Sequence, residues 1–384
     1  MKPISTVVTQ IPASGIRRFF DIVSQMDDVV SLGVGEPDFD TPWRVSEACI
    51  YSLERGQTHY TSNYGMIELR QAIADYLLAN ERIAYDPANQ ILITVGVSEG
   101  MDLAMRALLN PGDEVIVPEP CYVSYKPCVQ FAGGVPVTVC SYAKDGFAVA
   151  PEHIEAAVTE RTKAILLSYP TNPTGAVAGR DVLQKIVDIA VDHDLYVISD
   201  EIYDRLTYDG KHTCVPTLDG AYERTILLNG FSKAYAMTGW RIGYAAAAPD
   251  VIEAMMKIHQ YTMMCAPTMA QVAALEAIKS GYSDSQAMIE QYNQRRRVIV
   301  KGLNDAGLPC AMPGGAFYAF PSVRETGLTS DEFCERLLFE EKVAVVPGGA
   351  FGDCGEGHVR CSYATSIDKI EQAIERIARF VKKL

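Results

Sequence analysis

Residues 225–248 read TILLNGFSKAYAMTGWRIGYAAAA, and this stretch indicates how the chain folds. It holds two apolar runs, TILLNGF and IGYAAAA, joined by a short connection. Two parallel strands need a crossover of a dozen or more residues, so the second run is expected to be an antiparallel strand. Residues just before an antiparallel strand lie at the same sheet edge as residues just after a parallel one. Arg241 is therefore expected to face the same crevice as Lys233.

Five more short apolar runs precede this pair, separated by stretches with helical periodicity. The runs are ILITVG from Ile91, EVIVP from Glu114, PVTVC from Pro136, AILLSYP from Ala164 and YVISD from Tyr196. Strands alternating with helices are typical of a mainly parallel sheet covered by helices. The sequence thus predicts an α/β fold whose large domain, residues 47–282, contains a seven-stranded, mainly parallel sheet flanked by helices.

The pattern changes near residue 283. A long polar helical stretch, SQAMIEQYNQRRRVIVKGLNDAG, is followed by GGAFYAF, a helix, VAVVPGGAF, HVRCSYA and a last helix. This order predicts a smaller α+β domain, made of residues 283–384 and completed by residues 1–46. No low-complexity linker separates the two parts, so they are expected to share an interface.

Length and charge limit the function classes. The chain has 384 residues, 48% of them hydrophobic and 21% charged, which is ordinary globular composition and excludes disorder, collagen and coiled coil. The formal net charge is −14, which opposes binding to nucleic acid and to anionic membranes. An anionic ligand must therefore be bound by local positive groups.

The ten cysteines are spread along the chain without a CxxC pair or a Cys/His cluster. We interpret them as small apolar residues of a reducing cytosol instead of disulfide partners or metal ligands. The first residues, MKPISTVVTQIPASG, show no apolar core of signal-peptide length, and no stretch approaches a membrane span. These features predict a soluble cytoplasmic protein with no bound metal.

Several polar residues follow the predicted strands. Gly96 and Ser98 come after ILIT and open a helix whose free N–H groups could hold a phosphate, although a plain glycine turn would look the same. Asn172 lies in TNPTG, which could also be an ordinary turn. Asp200 ends an apolar strand, where a carboxylate needs a cationic partner unless it is solvated.

Lys233 follows the strand TILLNGF and shares the predicted crevice with these groups and with Arg241. A single lysine at such an edge is usually solvated, but the combination is informative. An acid, an amide, a phosphate-binding turn, an arginine and an amine fit a ligand with a phosphate, a cationic ring nitrogen, a phenolate oxygen and an aldehyde that can form a Schiff base. Pyridoxal 5'-phosphate has this set of groups.

The chain resembles the fold-type I, class I aminotransferases of the aspartate/aromatic aminotransferase group. The resemblance spans nearly the whole chain. It rests on SLGVGEPDFDTP, HYTSNYGMIELR, SYPTNPTGAV, ISDEIYD, NGFSKAYAMTGWRIGY, GGAFYAF and VRCSYATS, in that order. It is nearest to the branch that holds archaeal aromatic aminotransferases, bacterial aspartate aminotransferases and diaminopimelate-pathway aminotransferases.

The resemblance implies catalytic roles. Lys233 would be the Schiff-base lysine and the acid/base that moves a proton between the substrate α-carbon and the cofactor. Asp200 would pair with the pyridine nitrogen and keep it protonated. Tyr203 and Asn172 would hydrogen-bond the phenolic oxygen of the ring, and Tyr122 would stack on the ring.

It also implies binding roles. The phosphate would be held by the turn of Gly96, Val97 and Ser98, and by two further residues, Ser232 and Arg241. Tyr60 matches a tyrosine that reaches the phosphate from the partner subunit, which implies a homodimer with shared active sites.

For the substrate, Arg360 matches the arginine that takes the α-carboxylate in a bidentate pair, and Gly35 matches a loop near that carboxylate. In some aspartate-using members a lysine occupies the position of Ser98, so the resemblance does not predict dedicated acidic specificity. Arg17 and Arg18 could substitute for that lysine or could be solvated helix charges.

The sequence therefore predicts a cytoplasmic, dimeric, pyridoxal-phosphate-dependent aminotransferase that moves an amino group from an L-amino acid to a 2-oxo acid, with 2-oxoglutarate as the expected acceptor. One alternative is a C–S β-lyase of the same fold, which would need the same lysine and aspartate. A non-enzymatic alternative is an aminotransferase-like sensor domain, which the net charge and the lack of a preceding helix-turn-helix pattern disfavour.

Overall fold

A computed structural model describes residues 2–12 and 26–384. Its main feature is a seven-stranded sheet built from every run identified above. The strands are β2 (Ile91–Thr94), β3 (Glu114–Glu119), β4 (Val135–Cys140), β5 (Thr162–Ser168), β6 (Tyr196–Asp200), β7 (Thr225–Gly230) and β8 (Gly243–Ala246). Their spatial order is β2-β8-β7-β6-β5-β3-β4. Strand β8 is antiparallel to both of its neighbours, while the other pairs are parallel, as the short connection predicts.

Helices cover both faces of this sheet. They are α2 (Trp43–Glu54), α3 (Ile67–Glu81), α4 (Gly96–Leu108), α5 (Tyr125–Phe131), α6 (Pro151–Ala157), α7 (Arg180–Asp192), α8 (Pro249–Thr262) and α9 (Thr268–Ser280). Successive residues of a strand point to opposite faces. In β5, accordingly, Leu166 joins the apolar core beneath α4, α5 and α8, whereas Ile165 and Leu167 join the core beneath α6 and α7. Buried on both faces, the strands read as continuous apolar runs.

The remaining elements form smaller units. They are α1 (Thr6–Gln10), β1 (Val30–Ser31), α10 (Tyr282–Asp305), β9 (Tyr318–Ala319), α11 (Ser330–Glu341), β10 (Val343–Ala344), β11 (Val346–Pro347), β12 (Val359–Ser362) and α12 (Ile367–Val381). Strands β11, β12 and β9 form a three-stranded sheet, and β1 pairs with β10. This pairing joins the N-terminal segment to the C-terminal part of the chain. The domain boundaries at residues 46 and 282 stay a prediction.

Short 3-10 turns connect these elements. Their bounds are Ala143–Asp145, Asp204–Leu206, Val215–Thr217, Tyr222–Arg224, Thr238–Trp240, Arg324–Thr326, Gly348–Phe351 and Asp353–Gly355. In the described residues, none of the helices is both long and apolar enough to cross a membrane.

The interpretation of all ten cysteines as unpaired residues is wrong for two of them. Cys140, at the end of β4, forms a disulfide with Cys354, which lies 214 residues further along the chain. The spacing of apolar residues in the sequence does not predict this disulfide. The two cysteines become neighbours only when the segment after β11 packs against the edge of the large sheet. The other eight cysteines are free, and four of them are buried, as expected for small apolar residues.

Candidate active site

The carboxyl ends of β5, β6 and β7 bring the predicted catalytic groups to one edge of the sheet. Asp200 is the last residue of β6, Asn172 follows β5, and Lys233 follows β7. Strand β8 runs back from that edge, so Arg241, just before it, lies there too. Such an edge is the usual ligand site of an open α/β sheet.

Asp200 is buried at the bottom of this crevice, 5% exposed. Its Oδ2 accepts a hydrogen bond from the Tyr125 hydroxyl at 2.8 Å, and its Oδ1 accepts one from the Ile202 N–H at 3.1 Å. Burial raises the pKa of Asp200 to about 6, although both hydrogen bonds oppose that shift. Among the residues that the structure describes, no charged side chain lies within hydrogen-bond distance of this carboxylate, which is therefore suited to pair with a cationic ligand group.

Lys233 is held above the crevice by the chain segment around residue 35. Its Nζ donates to the Gly35 carbonyl oxygen at 2.8 Å and lies 5.8 Å from the centre of the Tyr203 ring. Burial lowers the pKa of Lys233 to about 8, partly opposed by the charge of Glu36. An amine with this pKa is available in its neutral, nucleophilic form close to neutral pH.

Arg241 lies against the first turn of α4. A Cβ at Gly96 would come within 2.7 Å of Arg241 Nη2, and Gly96 has φ +74°, which favours glycine. In the described ranges 2–12 and 26–384, no side chain caps α4, so its first N–H groups can bind an anion. A Cβ at Gly243 would lie 2.9 Å from Val97 N, so glycine there lets β8 approach this turn. Gly96, Val97 and Arg241 therefore form a compact corner that is suited to binding an anion.

The other phosphate candidates lie near this corner in different surroundings. Ser98 is the third residue of α4 and is exposed, whereas Ser232 is buried in the loop after β7. Tyr122 packs edge-on against Tyr125, with 5.6 Å between ring centres, and so belongs to the layer around Asp200.

Arg360, on β12, forms the opposite wall and is 3% exposed. Its Nη1 donates to Asn172 Oδ1 at 2.9 Å, and its Nη2 donates to the Gly33 carbonyl oxygen at 2.6 Å. Its Nε is buried and has no hydrogen-bond partner among the described residues. Because Asn172 uses its oxygen for Arg360, its amide N–H groups remain free to donate to a ligand.

Tyr203 follows β6 and its hydroxyl is 2.7 Å from the hydroxyl of Tyr318. Burial raises the pKa of Tyr203 well above its ordinary value, so the phenol stays protonated. It is therefore a hydrogen-bond donor at the crevice.

Two groups of predicted residues do not join this cluster. Tyr60 is 80% exposed on the single chain, outside the crevice of that chain. Arg17 and Arg18 lie outside the described residues. The hypothesis that either arginine contacts a substrate thus stays a prediction.

The structure also shows functional neighbours that the motif analysis missed. Tyr125 holds Asp200, Gly33 accepts from Arg360, and the rings of Tyr318 and Phe351 lie 4.6 and 4.9 Å from the Arg360 guanidinium carbon. Tyr125 follows Tyr122 in EPCYVSY and Tyr318 lies in GGAFYAF, so the motifs contained them. Their roles depend on contacts with residues far away in the chain.

The site combines an α/β sheet edge, a buried lysine and aspartate, a helix N-terminus and an arginine, and this arrangement is suited to lysine chemistry on an anionic ligand. The family model for aminotransferase class I and II matches residues 27–377, and the chain belongs to this family. It is an aminotransferase.

Similar proteins match over nearly the full length. A putative aminotransferase, YugH, of Bacillus subtilis is 53% identical, with 99% of this chain and 98% of the relative covered. An aspartate aminotransferase of Pyrococcus abyssi is 46% identical, with 96% of each chain covered. The crystal structure of an aromatic aminotransferase from Pyrococcus horikoshii superposes with a TM-score of 0.92 at 45% identity, covering 95% of this chain and 99% of that one. These matches confirm the predicted fold class and the transaminase function.

Proposed function

We propose that this aminotransferase binds pyridoxal 5'-phosphate at the sheet edge and uses it to move an amino group from an L-amino acid to a 2-oxo acid. One observation carries the proposal: Asp200, whose pKa is raised, and Lys233, whose pKa is lowered, are both buried at the sheet edge that also holds the corner at Gly96. When bound, the cofactor supplies an aldehyde that links to an amine and a ring that takes up electrons from the substrate α-carbon.

Lys233 would hold the cofactor covalently in the resting enzyme. After a substrate amine has displaced it, the Nζ of Lys233 would accept the proton of the substrate α-carbon and return it on the other side of the reaction. Its lowered pKa supports this role, because a proton carrier works best when its pKa is near the working pH.

Asp200 would pair with the ring nitrogen. Its hydrogen bonds to Tyr125 and Ile202 fix the carboxylate, and its burial leaves a negative charge that a protonated nitrogen would neutralise. Tyr203 and Asn172 would donate to the phenolic oxygen, and Tyr122 would stack on the ring. The phosphate would be held by the N–H groups of Gly96, Val97 and Ser98, together with Ser232 and Arg241.

Arg360 would bind the α-carboxylate of every substrate, near the Gly35 segment. Arg360→Lys keeps the charge but loses the planar pair of donors, so KM should rise by about 10-fold for amino acids and 2-oxo acids alike. Kinetics with aspartate, phenylalanine and 2-oxoglutarate test this expectation. If KM rose only for dicarboxylic substrates, Arg360 would instead bind the side-chain carboxylate.

A homodimer with shared active sites would explain the exposure of Tyr60, which would reach the phosphate of the partner subunit across a two-fold interface. Light scattering of the cofactor-loaded enzyme tests this assembly. A fully active monomer would contradict it. We expect a cytoplasmic enzyme that acts on small molecules and binds neither nucleic acid nor membranes, in line with its net charge of −14.

The amino donor is proposed to be aromatic, aspartate or a related amino acid, because relatives with both kinds of name are similar to this chain over their full length. 2-Oxoglutarate is the proposed acceptor. A half-reaction panel with the twenty amino acids and diaminopimelate derivatives, followed by loss of the cofactor absorbance, ranks the donors. Release of pyruvate and ammonia without a 2-oxo acid acceptor would instead favour the β-lyase.

A further inference from the structure

Tyr318 lies where the two walls of the crevice meet. It is the first residue of β9 and pairs with Ser362 on β12, two residues beyond Arg360. Its side chain is 1% exposed. The hydroxyl of Tyr318 would be only 2.5 Å from a Cβ at Gly35, whose carbonyl accepts from Lys233. Tyr318 therefore lies next to Arg360 and also next to the segment around Gly35 that holds Lys233.

The ring of Tyr318 restrains Arg360. The guanidinium carbon lies 4.6 Å from the centre of this ring and 4.9 Å from that of Phe351. Asn172 and Gly33 accept from its two terminal nitrogens, so the guanidinium is held by two hydrogen bonds and by contact with two aromatic rings. Such packing fixes the plane of a group that must meet a flat carboxylate with two donors.

The hydroxyl of Tyr318 has a different partner. It lies 2.7 Å from the Tyr203 hydroxyl, and within this pair one phenol donates and the other accepts. Burial raises the pKa of both phenols, so both stay protonated near neutral pH and either hydroxyl can donate within the pair. When Tyr318 donates, the proton of Tyr203 is free to point into the crevice.

We propose that Tyr318 is a positioning residue with two separable tasks: its hydroxyl orients Tyr203 as a donor toward the phenolic oxygen of the cofactor, and its ring holds Arg360 in the plane that binds the substrate α-carboxylate. This inference rests on the proposed function of the site. A hydrogen bond received by Tyr203 also polarises its O–H and strengthens the bond it donates. Tyr318 would thus act on both the cofactor, through Tyr203, and the bound substrate, through Arg360.

Two substitutions separate the tasks. Tyr318→Phe keeps the ring and removes the hydroxyl, whereas Tyr318→Leu removes both. Tyr363→Phe is the matched control, since Tyr363 is also fully buried and its hydroxyl donates to the Ala316 carbonyl oxygen at 3.2 Å, away from the crevice. The control should behave as the wild type does in every measurement below.

The first measurement is the pH midpoint of the absorbance of the lysine-linked cofactor. A donor on the phenolic oxygen lowers the proton affinity of the linked nitrogen, so Tyr318→Phe should raise the midpoint by about half a pH unit or more, with oxo-acid KM unchanged. Tyr318→Leu should show this shift and also raise KM by roughly 10-fold. The dissociation constants of two unreactive carboxylates, maleate and 3-phenylpropionate, should rise together in Tyr318→Leu.

The outcomes distinguish this inference from the proposed function. A wild-type enzyme whose cofactor cannot be fixed to Lys233 by borohydride reduction would overturn both. A wild type with normal linkage, but with an unchanged midpoint in Tyr318→Phe, would overturn the role of the hydroxyl. An unchanged carboxylate affinity in Tyr318→Leu would overturn the role of the ring, and an equal midpoint shift in Tyr363→Phe would show a merely structural effect.

Discussion

Asp200 and Glu201 are consecutive residues at the end of β6, both buried, yet their surroundings differ completely. Glu201 accepts hydrogen bonds from Ser199 at 2.9 Å, from the Val215 N–H at 2.9 Å and from His212 at 2.7 Å. Both of its carboxylate oxygens therefore have partners within the protein. Asp200 faces the crevice and accepts from one hydroxyl and one N–H, and within the described part of the chain no cation lies within bonding distance of it.

The difference shows how one strand end serves two purposes. Glu201 directly follows Asp200, the last residue of β6, and adjacent residues of an extended chain point to opposite sides. The pair thus places one carboxylate in the crevice and the other among hydrogen-bond donors of the protein. Glu201 ties the segment around residues 212–215 to the end of β6 through hydrogen bonds with His212 and Val215. The charge of Asp200 is buried without a cationic partner, which is unfavourable, and a cationic ligand group would reduce this cost. Neighbouring carboxylates should therefore respond oppositely to neutral substitution.

The largest effect is expected at the crevice lysine. Lys233→Ala should lower transamination by several orders of magnitude, because it removes both the covalent link and the proton carrier, while the cofactor still binds noncovalently. Single-turnover absorbance changes with a good amino donor measure the loss. An unchanged rate would show that the chemistry lies elsewhere and would remove the functional half of the comparison.

The second prediction compares the two carboxylates directly. Asp200→Asn should lower kcat by roughly 10²–10³-fold, because a neutral amide cannot hold a proton on the ring nitrogen. Glu201→Gln should leave kcat close to that of the wild type if the enzyme is folded. Cofactor occupancy, measured by absorbance, is the control in both variants. Equal losses of kcat would contradict the separation of roles.

Stability of the apoprotein should change in the opposite sense. The pKa of Asp200 is raised from 3.8 to about 6, so its ionisation destabilises the fold by up to about 3 kcal/mol at pH 8. This penalty is small below pH 3.8, grows as the pH rises from 3.8 to 6, and is complete above pH 6. Asp200→Asn should therefore be more stable than wild type at pH 8 and similar at pH 4.

Glu201→Gln should instead lose about 1–3 kcal/mol of stability, because the amide leaves His212 and the Val215 N–H with a weaker partner. Urea unfolding of both apoprotein variants at the two pH values measures these changes. A destabilised Asp200→Asn variant at pH 8 would indicate that its hydrogen bond from Tyr125 outweighs the burial of charge.

The smallest effect concerns His212. Burial lowers its pKa, but the charge and hydrogen bond of Glu201 prevail and raise it above the ordinary value. A raised histidine pKa adds stability that is full below pH 6.5 and disappears as pH rises through the folded value. NMR titration should show this raised pKa in wild type and a lower one in Glu201→Gln. An unchanged titration would separate His212 from Glu201.

The local sequence pattern predicts the strands of the large sheet, the direction of β8 and the sheet edge at which the site lies. All seven strands of the large sheet begin or end within a few residues of the quoted runs, because strands buried on both faces must be continuously apolar. The antiparallel direction of β8 follows from a connection too short for a crossover. The same reasoning places Asp200, Asn172, Lys233 and Arg241 at one edge.

Pairings across long stretches of chain are invisible to such reasoning. Arg360 reaches Asn172 188 residues away, Tyr318 reaches Tyr203 115 residues away, and Tyr125 reaches Asp200 75 residues away. The first two pairs depend on how the three-stranded sheet packs against the large sheet, and the third depends on how the helix Tyr125–Phe131 packs on the large sheet.

The cysteines, and the carboxylates of Asp200 and Glu201, also show that local sequence does not predict long-range contacts. Nothing local distinguishes Cys140 and Cys354 from the eight free cysteines, or Asp200 from Glu201 beyond its position at the end of a strand. Periodicity reports which face a residue occupies, since that follows from backbone geometry. Whether a buried group is satisfied or reactive depends on partners brought near by the complete fold, and those partners set its pKa.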